Sequence, residues 1–433
     1  MSVPALRTTK MTAIEIGRRR VISCLAFSLL LLFTVAGRLS AESNWPRWRG
    51  PLGDGHTAIK LPVRWDAGSI AWKIPLQGIG QSSPIVWQGR IFLTSALAEG
   101  RQRLVFCLDA HDGSLAWKHT PWTGSPEPVH PMNSWATPSC TTDGEVVVAF
   151  FGKGGLHGYT LDGKPLWSRD LGSFECPWGV AACPVIVRDL VIQNGDADAD
   201  SCIMGLDKRT GETVWTTPRP NFRGWSTPIL IEAAGRKELV VNGHTGVTAY
   251  DPASGKQLWF CKSFNGRGEP TITPAGDLLC AVNGLAGDIY AIRPGGEGDV
   301  TGTRMAWHTP RRGGRDTPSP IVIDKYIVVV DMKGIATCYE SETGRELWKE
   351  RICDAISSSP IAAGGLAYFQ DEKGETVVLR PGPQLEVVAR NTLGANNVGA
   401  NNEIFRASLA PVDGKLLSRS QTTLYCIGGE GKK

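Results

Sequence analysis

The sequence lacks the short motifs that mark most cofactor sites. Its 11 cysteines include no C-x-x-C and no adjacent pair, which excludes an attached c-type haem and a thioredoxin-like dithiol. Its seven histidines have no close spacing, so no zinc or catalytic constellation is indicated. The glycine-rich stretch FGKGGLHG at 151–158 lies between two predicted strands rather than before a helix. This indicates a β-turn and not a phosphate-binding loop.

An acidic stretch, NGDADADS at 194–201, lacks two residues that an EF-type calcium loop requires. Counted from Asp196, Ser201 stands where the loop needs glycine, and Asp207 stands where it needs glutamate. We therefore predict a solvated acidic hairpin at this position, and we predict no metal site elsewhere in the chain.

Only one apolar run approaches the length of a membrane span. It extends from Val21 to Val35, behind three arginines at 18–20 and ahead of the small-residue sequence LSA at 39–41. This arrangement is typical of a signal peptide, which we place at residues 1–41. General secretion and twin-arginine export both remain open. Cys24 lies too early in the run for a lipoprotein cleavage site.

The charge of the chain is nearly balanced once the leader is removed. Six of the 46 basic residues and one of the 42 acidic residues lie in the leader, which leaves 40 against 41. There is thus no electrostatic argument for nucleic-acid binding.

We expect residues 42–433 to form one periplasmic or secreted domain with a lead-in segment at 42–68. We expect no transmembrane segment in it, because no second apolar run is long enough to span a bilayer.

Ten cysteines remain after the predicted cleavage. Cys176 and Cys183 flank the short sequence PWGVAA, and they are our candidates for one local disulfide, since an exported chain can form such bonds. Most of the others lie in strand-like runs, where free cysteine packs as a small buried hydrophobe.

A motif of the form A/C-x-D-x-x-x-G-x-x-x-W recurs along the chain. Near-intact copies are CLDAHDGSLAW at 107–117, GLDKRTGETVW at 205–215, AYDPASGKQLW at 249–259 and CYESETGRELW at 338–348. With degenerate copies, they place tryptophans 41 to 50 residues apart, at Trp72, Trp117, Trp167, Trp215, Trp259, Trp307 and Trp348. A period of this length indicates a propeller or a solenoid. Because a catalytic group is needed once, we interpret these tryptophans as structural docking residues between neighbouring units.

Each unit contains four short β-rich runs, and no long helical period follows the leader. The sequence ends on the first half of the motif, LYCIGG, whereas DAGSIAW near the start of the mature chain keeps Gly68 and Trp72. We therefore predict an all-β fold, an eight-bladed β-propeller of four-stranded blades, in which residues 69–76 complete the last blade begun by residues 404–427. The seventh blade lacks its tryptophan, around Val387-Val388.

The tryptophan motif resembles that of the pyrroloquinoline quinone (PQQ) type, eight-bladed β-propeller superfamily, over essentially the whole mature chain. The opening NWPRWRGPLGDGHT at 44–57 is similar to the lead-in of PQQ-repeat propellers common in planctomycete-like bacteria. The resemblance implies either a quinoprotein dehydrogenase or a non-enzymatic propeller, such as the scaffold lipoprotein of the outer-membrane β-barrel assembly machinery. The adjacent cysteines that alcohol-oxidising members usually place against the quinone are missing. We assign none of those enzymes' calcium ligands or their catalytic aspartate to a position in this chain.

In a propeller the first strand of each blade lines the central channel, so the residues just before the eight first strands should face a common funnel. Aromatic and charged residues are concentrated there: Trp135, Trp178, Arg223, Trp225, Arg267, Glu269, Arg315, Asp316 and Arg406. Such residues around a concavity suit a small molecule, a sugar or a peptide. The alternative is that the tryptophans fill the channel and the charges pair with one another.

These observations favour an exported, non-catalytic propeller that acts as a binding or scaffold protein for a protein or glycan partner, as a monomer and without a cofactor. The alternative function is that of a PQQ-dependent oxidoreductase with calcium in the funnel. Its quinone would stack near Trp135 or Trp225, and Arg267 or Arg315 would pair with the quinone carboxylates.

A third hypothesis is hydrolysis or elimination on a polysaccharide through the two funnel acids, Glu269 and Asp316. Such chemistry depends on the distance between the two carboxyl groups. The sequence does not give that distance.

Overall fold

The computed structural model describes residues 1, 44–263, 267–285, 287–311, 315, 317–394 and 403–428. Apart from Met1, the predicted leader lies outside the described residues, and so does Asp316. Among the described residues, no helix is both long enough and apolar enough to cross a membrane.

From residue 44 onward, the chain forms eight β-sheets with four antiparallel main strands each. Blade 1 contains Ile85–Trp87, Arg90–Leu97, Gln102–Asp109 and Leu115–Thr123. Blade 2 contains Thr141–Thr142, Val146–Phe150, Leu156–Thr160 and Pro165–Arg169. Blade 3 contains Val185–Val187, Leu190–Gly195, Cys202–Asp207 and Thr213–Pro218. Blade 4 contains Ile229–Ala233, Arg236–Asn242, Gly246–Tyr250 and Gln257–Lys262.

The second half of the ring repeats this arrangement. Blade 5 contains Thr273–Ala275, Leu278–Val282, Ile289–Ile292 and Met305–Thr309. Blade 6 contains Ile321–Ile323, Tyr326–Val330, Ile335–Glu340 and Glu346–Arg351. Blade 7 contains Ile361–Ala363, Leu366–Gln370, Thr376–Arg380 and Glu386–Asn391. Blade 8 contains Ala410–Val412, Lys415–Arg419, Thr423–Ile427 and, from the start of the domain, Ile70–Pro75.

Two short strands and three short helical segments complete the described elements. His56–Thr57 pairs in parallel with the first strand of blade 7, and Gly298–Asp299 pairs in parallel with the last strand of blade 4. The helical segments are the 3-10 turns Ala67–Ser69 and Gly152–Gly154 and the α-helical turn Thr301–Arg304. Buried side chains pack between neighbouring blades; Val240 of blade 4 and Leu279 of blade 5, for example, share one cluster.

The last blade is shared between the two ends of the domain. Ile70–Pro75 is its outer strand, and Trp72 lies opposite Cys426 in the antiparallel register with Thr423–Ile427. An antiparallel pair between distant segments fixes the ring and removes an exposed sheet edge. The all-β, eight-bladed fold and the closure of the ring are therefore confirmed.

The motif tryptophans lie on the outer strands and contact the turn of the next blade. Five of them donate an Nε1 hydrogen bond to a carbonyl of that turn: Trp72 to Ala110, Trp117 to Leu161, Trp167 to Lys208, Trp307 to Ser341 and Trp348 to Gly382, at 2.8 to 3.3 Å. The motif glycine of the next blade lies under the ring. A Cβ on Gly344, whose φ is +70°, would come within 2.3 Å of the Trp307 ring.

Three blades depart from this pattern. In blade 3 the Trp215 ring lies over Gly255, but its buried Nε1 has no hydrogen-bond partner among the described residues. Trp259 donates instead to Glu238 Oε2 at 2.7 Å within its own blade, and the Glu238 side chain is fully buried. In blade 7 the register places Ala389 opposite Val378, the position that tryptophan takes in the other blades, with a bulge between Val387 and Ala389. The missing tryptophan therefore falls one residue beyond the predicted Val387-Val388.

Two predictions made from local sequence are wrong. All ten described cysteines are free thiols: Cys176 Sγ donates to Gly179 O at 3.2 Å, whereas Cys183 Sγ accepts from Ser139 N–H, so the predicted bridge does not form. The acidic hairpin is not wholly solvated either. Asp196 is buried and forms a two-point pair with Arg219, with a shortest distance of 2.6 Å.

Candidate functional site

Eight small side chains form a closed ring of hydrogen bonds around the central channel. They stand just before or at the start of the eight first strands: Ser83, Ser139, Cys183, Thr227, Thr271, Ser319, Ser359 and Ser408. The backbone N–H of each donates to the side chain of the next, and Ser408 N–H returns to Ser83 Oγ, at distances of 2.8 to 3.2 Å. All eight residues are buried. The ring thus satisfies eight backbone donors where the blades converge.

The ring explains why these positions carry only small polar residues. A hydroxyl group is compact enough for eight strands to meet, and it accepts a hydrogen bond while keeping its own hydrogen to donate. Cys183 supplies a thiol where the other seven residues supply a hydroxyl group. Burial raises the pKa of the Cys183 thiol, so this group is a neutral thiol and not a thiolate.

A second tier of side chains stands two residues before the ring and lines a cavity of about 180 Å³. Its members are Gln81, Thr137, Ala181, Trp225, Glu269, Thr317, Ser357 and Arg406. Because extended chain repeats every two residues, both tiers point to the same side of their strands. Met132, Asn133, Trp178 and Arg315 from adjoining loops complete the wall.

The lead-in segment closes the channel on the other side of the ring. Trp45 pairs with Val86 of blade 1, Thr142 of blade 2 donates to Pro46 O, and Arg49 Nη2 donates to Pro320 O beside blade 6. The segment then joins blade 7 through its short parallel strand. On the way, Trp48 reaches the cavity and donates from Nε1 to Ser408 Oγ at 3.3 Å. The cavity therefore has a floor and opens at one end of the ring.

Charged side chains of the cavity are paired with one another. Glu269 Oε1 lies 3.3 Å from Arg315 Nη2 and 3.8 Å from Arg267 Nη1, and the Glu269 side chain is 4% exposed. Arg406 forms a two-point pair with Glu372 and also donates to Pro131 O. Three guanidinium groups thus face two carboxylates, which leaves one positive charge in excess among the described groups.

The aromatic wall is partly covered by these cations. Trp178 stacks against His130 with ring centroids 3.9 Å apart, and the Arg315 guanidinium carbon lies 4.6 Å from the Trp178 ring centroid. Arg267 lies 5.9 Å from the centroids of both Trp178 and Trp225. Trp225 is held by an Nε1 hydrogen bond to Gly179 O at 2.7 Å.

The structure brings most of the predicted funnel residues together. Trp178, Trp225, Glu269, Arg315 and Arg406 line the cavity, and Arg267 adjoins Glu269.

Two predicted funnel residues are placed away from the lining. Trp135 packs over Gly100 and donates to Glu127 O, and Arg223 pairs with Asp198 at 3.0 Å. Asp316 lies outside the described residues. In the part of the chain that the structure describes, no group of three histidine, cysteine or acidic side chains could hold a metal ion.

Three features were missed in the sequence: the ring, Gln81 and Trp48. The recurrence of serine, threonine or cysteine next to a proline before seven of the eight first strands was the available signal for the ring. No feature of the neighbouring sequence indicates that Gln81 lines the cavity. Trp48 lies in the lead-in segment, to which the sequence analysis assigns no site.

Comparison with known proteins identifies a family for this chain. The family model described as "Outer membrane protein assembly factor BamB" matches residues 61–191, 199–291 and 285–381. Among curated proteins, the chain is similar to the quinohemoprotein alcohol dehydrogenase ADH-IIG of Pseudomonas putida, with 26% identity over 147 residues, or 31% of this chain. The match spans only 20% of that dehydrogenase.

Two solved structures share the fold over most of the chain. BamB from Moraxella catarrhalis is 17% identical with a TM-score of 0.60, and the match covers 83% of this chain and 99% of that one. The computationally designed Ika8 protein is 13% identical with a TM-score of 0.58 and the same coverage. At these identities the likeness concerns the fold alone.

Proposed function

Because the chain belongs to the family described as outer membrane protein assembly factor BamB, we propose that it is an exported, non-catalytic β-propeller that acts as a binding or scaffold protein. It acts in the periplasm or outside the cell, as a monomer with a protein or glycan partner. The complete eight-bladed body and the one-ended cavity support a binding role, since a rigid concavity with a few placed polar groups is what a ligand site requires.

The observation that carries this proposal is the pairing of the cavity's charges within the chain itself. Cleavage of a glycosidic bond needs one carboxylic acid to give up a proton and a second carboxylate to act as base or nucleophile. Glu269 is instead shared between Arg315 and Arg267, and Glu372 is held by Arg406. Both carboxylates are therefore engaged by guanidinium groups of the chain itself rather than placed to act as an acid and base pair on a substrate.

Several contacts count against the quinone of the alternative function, although Trp225, one of the two stacking residues considered, does line the cavity. A flat quinone rich in carboxylates needs an open aromatic face and several free cations, whereas the Trp178 ring already contacts His130 and Arg315. Trp135, one of the two stacking residues considered, does not line the cavity, and both candidate arginines are paired with Glu269. We therefore derive no redox step for this chain.

The test is direct. Purified mature protein should be titrated with PQQ in the presence of calcium, with calorimetry and quinone absorbance as readouts, and assayed for dye-linked oxidation of simple alcohols and sugars. We expect neither saturable binding nor turnover. A quinoprotein alcohol dehydrogenase loaded in the same buffer serves as the positive control.

The opposite result is equally informative. Saturable quinone binding together with dye reduction, abolished by Trp225→Ala, would contradict the proposal and place the chain among the dehydrogenases. Binding without turnover would contradict the fit argument while leaving the non-catalytic role in place.

A further inference from the structure

We infer that the central cavity binds a small sugar acid, that is, a hydroxylated ring or chain that carries one carboxylate. This inference rests on the proposed binding role and names its ligand class. It follows from the charge, the unused hydrogen-bond donors and the wall chemistry of one cavity.

The described charges of the cavity favour an anionic ligand. Arg267, Arg315 and Arg406 face Glu269 and Glu372, so the described groups carry one positive charge more than they neutralise. An uncompensated charge in a walled site is costly, and a ligand carboxylate removes that cost. A neutral ligand leaves the excess among the described groups in place.

Two hydrogen-bond donors of the cavity have no acceptor among the described residues. Gln81 is 7% exposed and lines the cavity, and its Nε2 group has no hydrogen-bond partner among the described residues. Arg315 Nε, also buried, has none. Buried donors without acceptors are unfavourable, so the site favours a ligand rich in acceptor oxygens. Arg315 Nε is the donor suited to the carboxylate, and Gln81 Nε2 is suited to a hydroxyl or ring oxygen.

The serine hydroxyls and tryptophan rings that line the cavity suit the hydroxyl groups and the C–H faces of a sugar. Three serines of the protein's hydrogen-bonded ring, Ser83, Ser139 and Ser359, border the cavity. Each of their hydroxyl groups accepts one hydrogen bond and still has a hydrogen to donate. Trp225 and Trp48 supply aromatic surface beside these polar groups. Aromatic surface next to a dense set of hydroxyl donors matches a compact ring that has both apolar C–H faces and many oxygens.

The experiment compares an acid with its neutral parent. The full mature chain is titrated by calorimetry with sodium D-glucuronate and, separately, with D-glucose, which differs at a single carbon. We expect glucuronate to bind at least about tenfold more tightly than glucose, because a hydrogen bond to a charged group contributes roughly 1.5–3 kcal/mol. Arg315→Gln should remove this preference.

Two further variants keep the test decisive. Gln81→Met preserves side-chain length and removes the carboxamide with its unused Nε2 donor, and it should weaken glucuronate binding by about tenfold or less. Arg223→Gln is the matched control, since Arg223 occupies a comparable position before blade 4 but pairs with Asp198 and does not line the cavity; it should leave binding unchanged. Circular dichroism establishes that each variant is folded.

Several outcomes would overturn the inference: equal binding of glucose and glucuronate, no binding of either, or unchanged preference in Arg315→Gln. The failure is separable from that of the proposed function. Absence of sugar-acid binding without quinone-dependent turnover removes only the ligand class, whereas turnover with PQQ removes the non-catalytic role whatever the sugar acid does.

Discussion

The backbone N–H of Ser408 donates a hydrogen bond to the hydroxyl of Ser83, 325 residues earlier in the chain, at 2.9 Å. This contact closes the hydrogen-bonded ring at the same place where the last blade joins the first. The propeller is thus closed twice, at its axis by small polar side chains and at its periphery by the strand pair of blade 8.

Removing one hydroxyl group from the ring should destabilise the whole fold. Ser319→Ala leaves the buried Thr271 N–H without its acceptor, now 3.0 Å away, and should lower the free energy of unfolding by about 1–3 kcal/mol in urea. Ser319→Cys should cost less, because Cys183 accepts the same bond in blade 3. The exposed Ser173→Ala is the control; equal stability of Ser319→Ala and Ser173→Ala would show that the ring contributes nothing.

The motif glycine should be required for two reasons: its φ is positive, and a side chain at this position would collide with the docked tryptophan. Gly344 and Gly276 both have positive φ, +70° and +61°, but a Cβ meets the Trp307 ring at 2.3 Å only at Gly344; at Gly276 it meets open space. Gly276→Ala should cost about 1–2 kcal/mol from backbone strain alone. Gly344→Ala should cost clearly more in thermal unfolding, because the tryptophan must move. Equal losses would mean that the docking contact is dispensable.

The buried thiols should make the fold sensitive to alkali. Burial raises the pKa of Cys107, Cys280, Cys338 and Cys353 to about 12, against an ordinary value of 9.0. Between these values the unfolded chain loses protons that the folded chain keeps. The contribution to stability is therefore complete below pH 9 and is lost as the pH rises towards 12, at up to about 1.4 kcal/mol per pH unit and thiol.

Urea unfolding at several values between pH 8 and pH 10.5 measures this slope. The variant Cys107→Ala should reduce it by the share of one thiol, even if the variant is less stable at neutral pH. A slope that is unchanged in Cys107→Ala would contradict the assignment of that proton to the buried thiol.

The repeat made the number of blades and their closure predictable, because one motif marks the same turn in each unit. It did not fix which residue of each first strand faces the channel. Pro228 follows the ring residue Thr227, whereas Pro138 precedes its counterpart Ser139. An alignment on the prolines is therefore two residues out of register in blade 2, and this places Trp135 in the funnel lining when it stands further out.

The partner of Trp259 was also beyond prediction from sequence. The insertion that carries Gly298–Asp299 replaces the usual turn of blade 5, so the expected carbonyl acceptor is displaced. Glu238, on the second strand of the same blade, takes its place and also accepts from Arg236 and from Gly295 N–H. A glutamate in a strand resembles a surface charge until the tertiary packing shows it to be buried.

The strand pair that completes blade 8 also constrains the order of events in the making of the protein. Synthesis proceeds from the amino end, so Ile70–Pro75 exists long before Thr423–Ile427, its only neighbour in the sheet. Throughout that interval Ile70–Pro75 has no strand to pair with, so blade 8 cannot be completed before Thr423–Ile427 is made. Pairings so distant in sequence are slow to form and are exposed to aggregation until they do, so newly made chains are vulnerable at one particular edge until the final residues arrive.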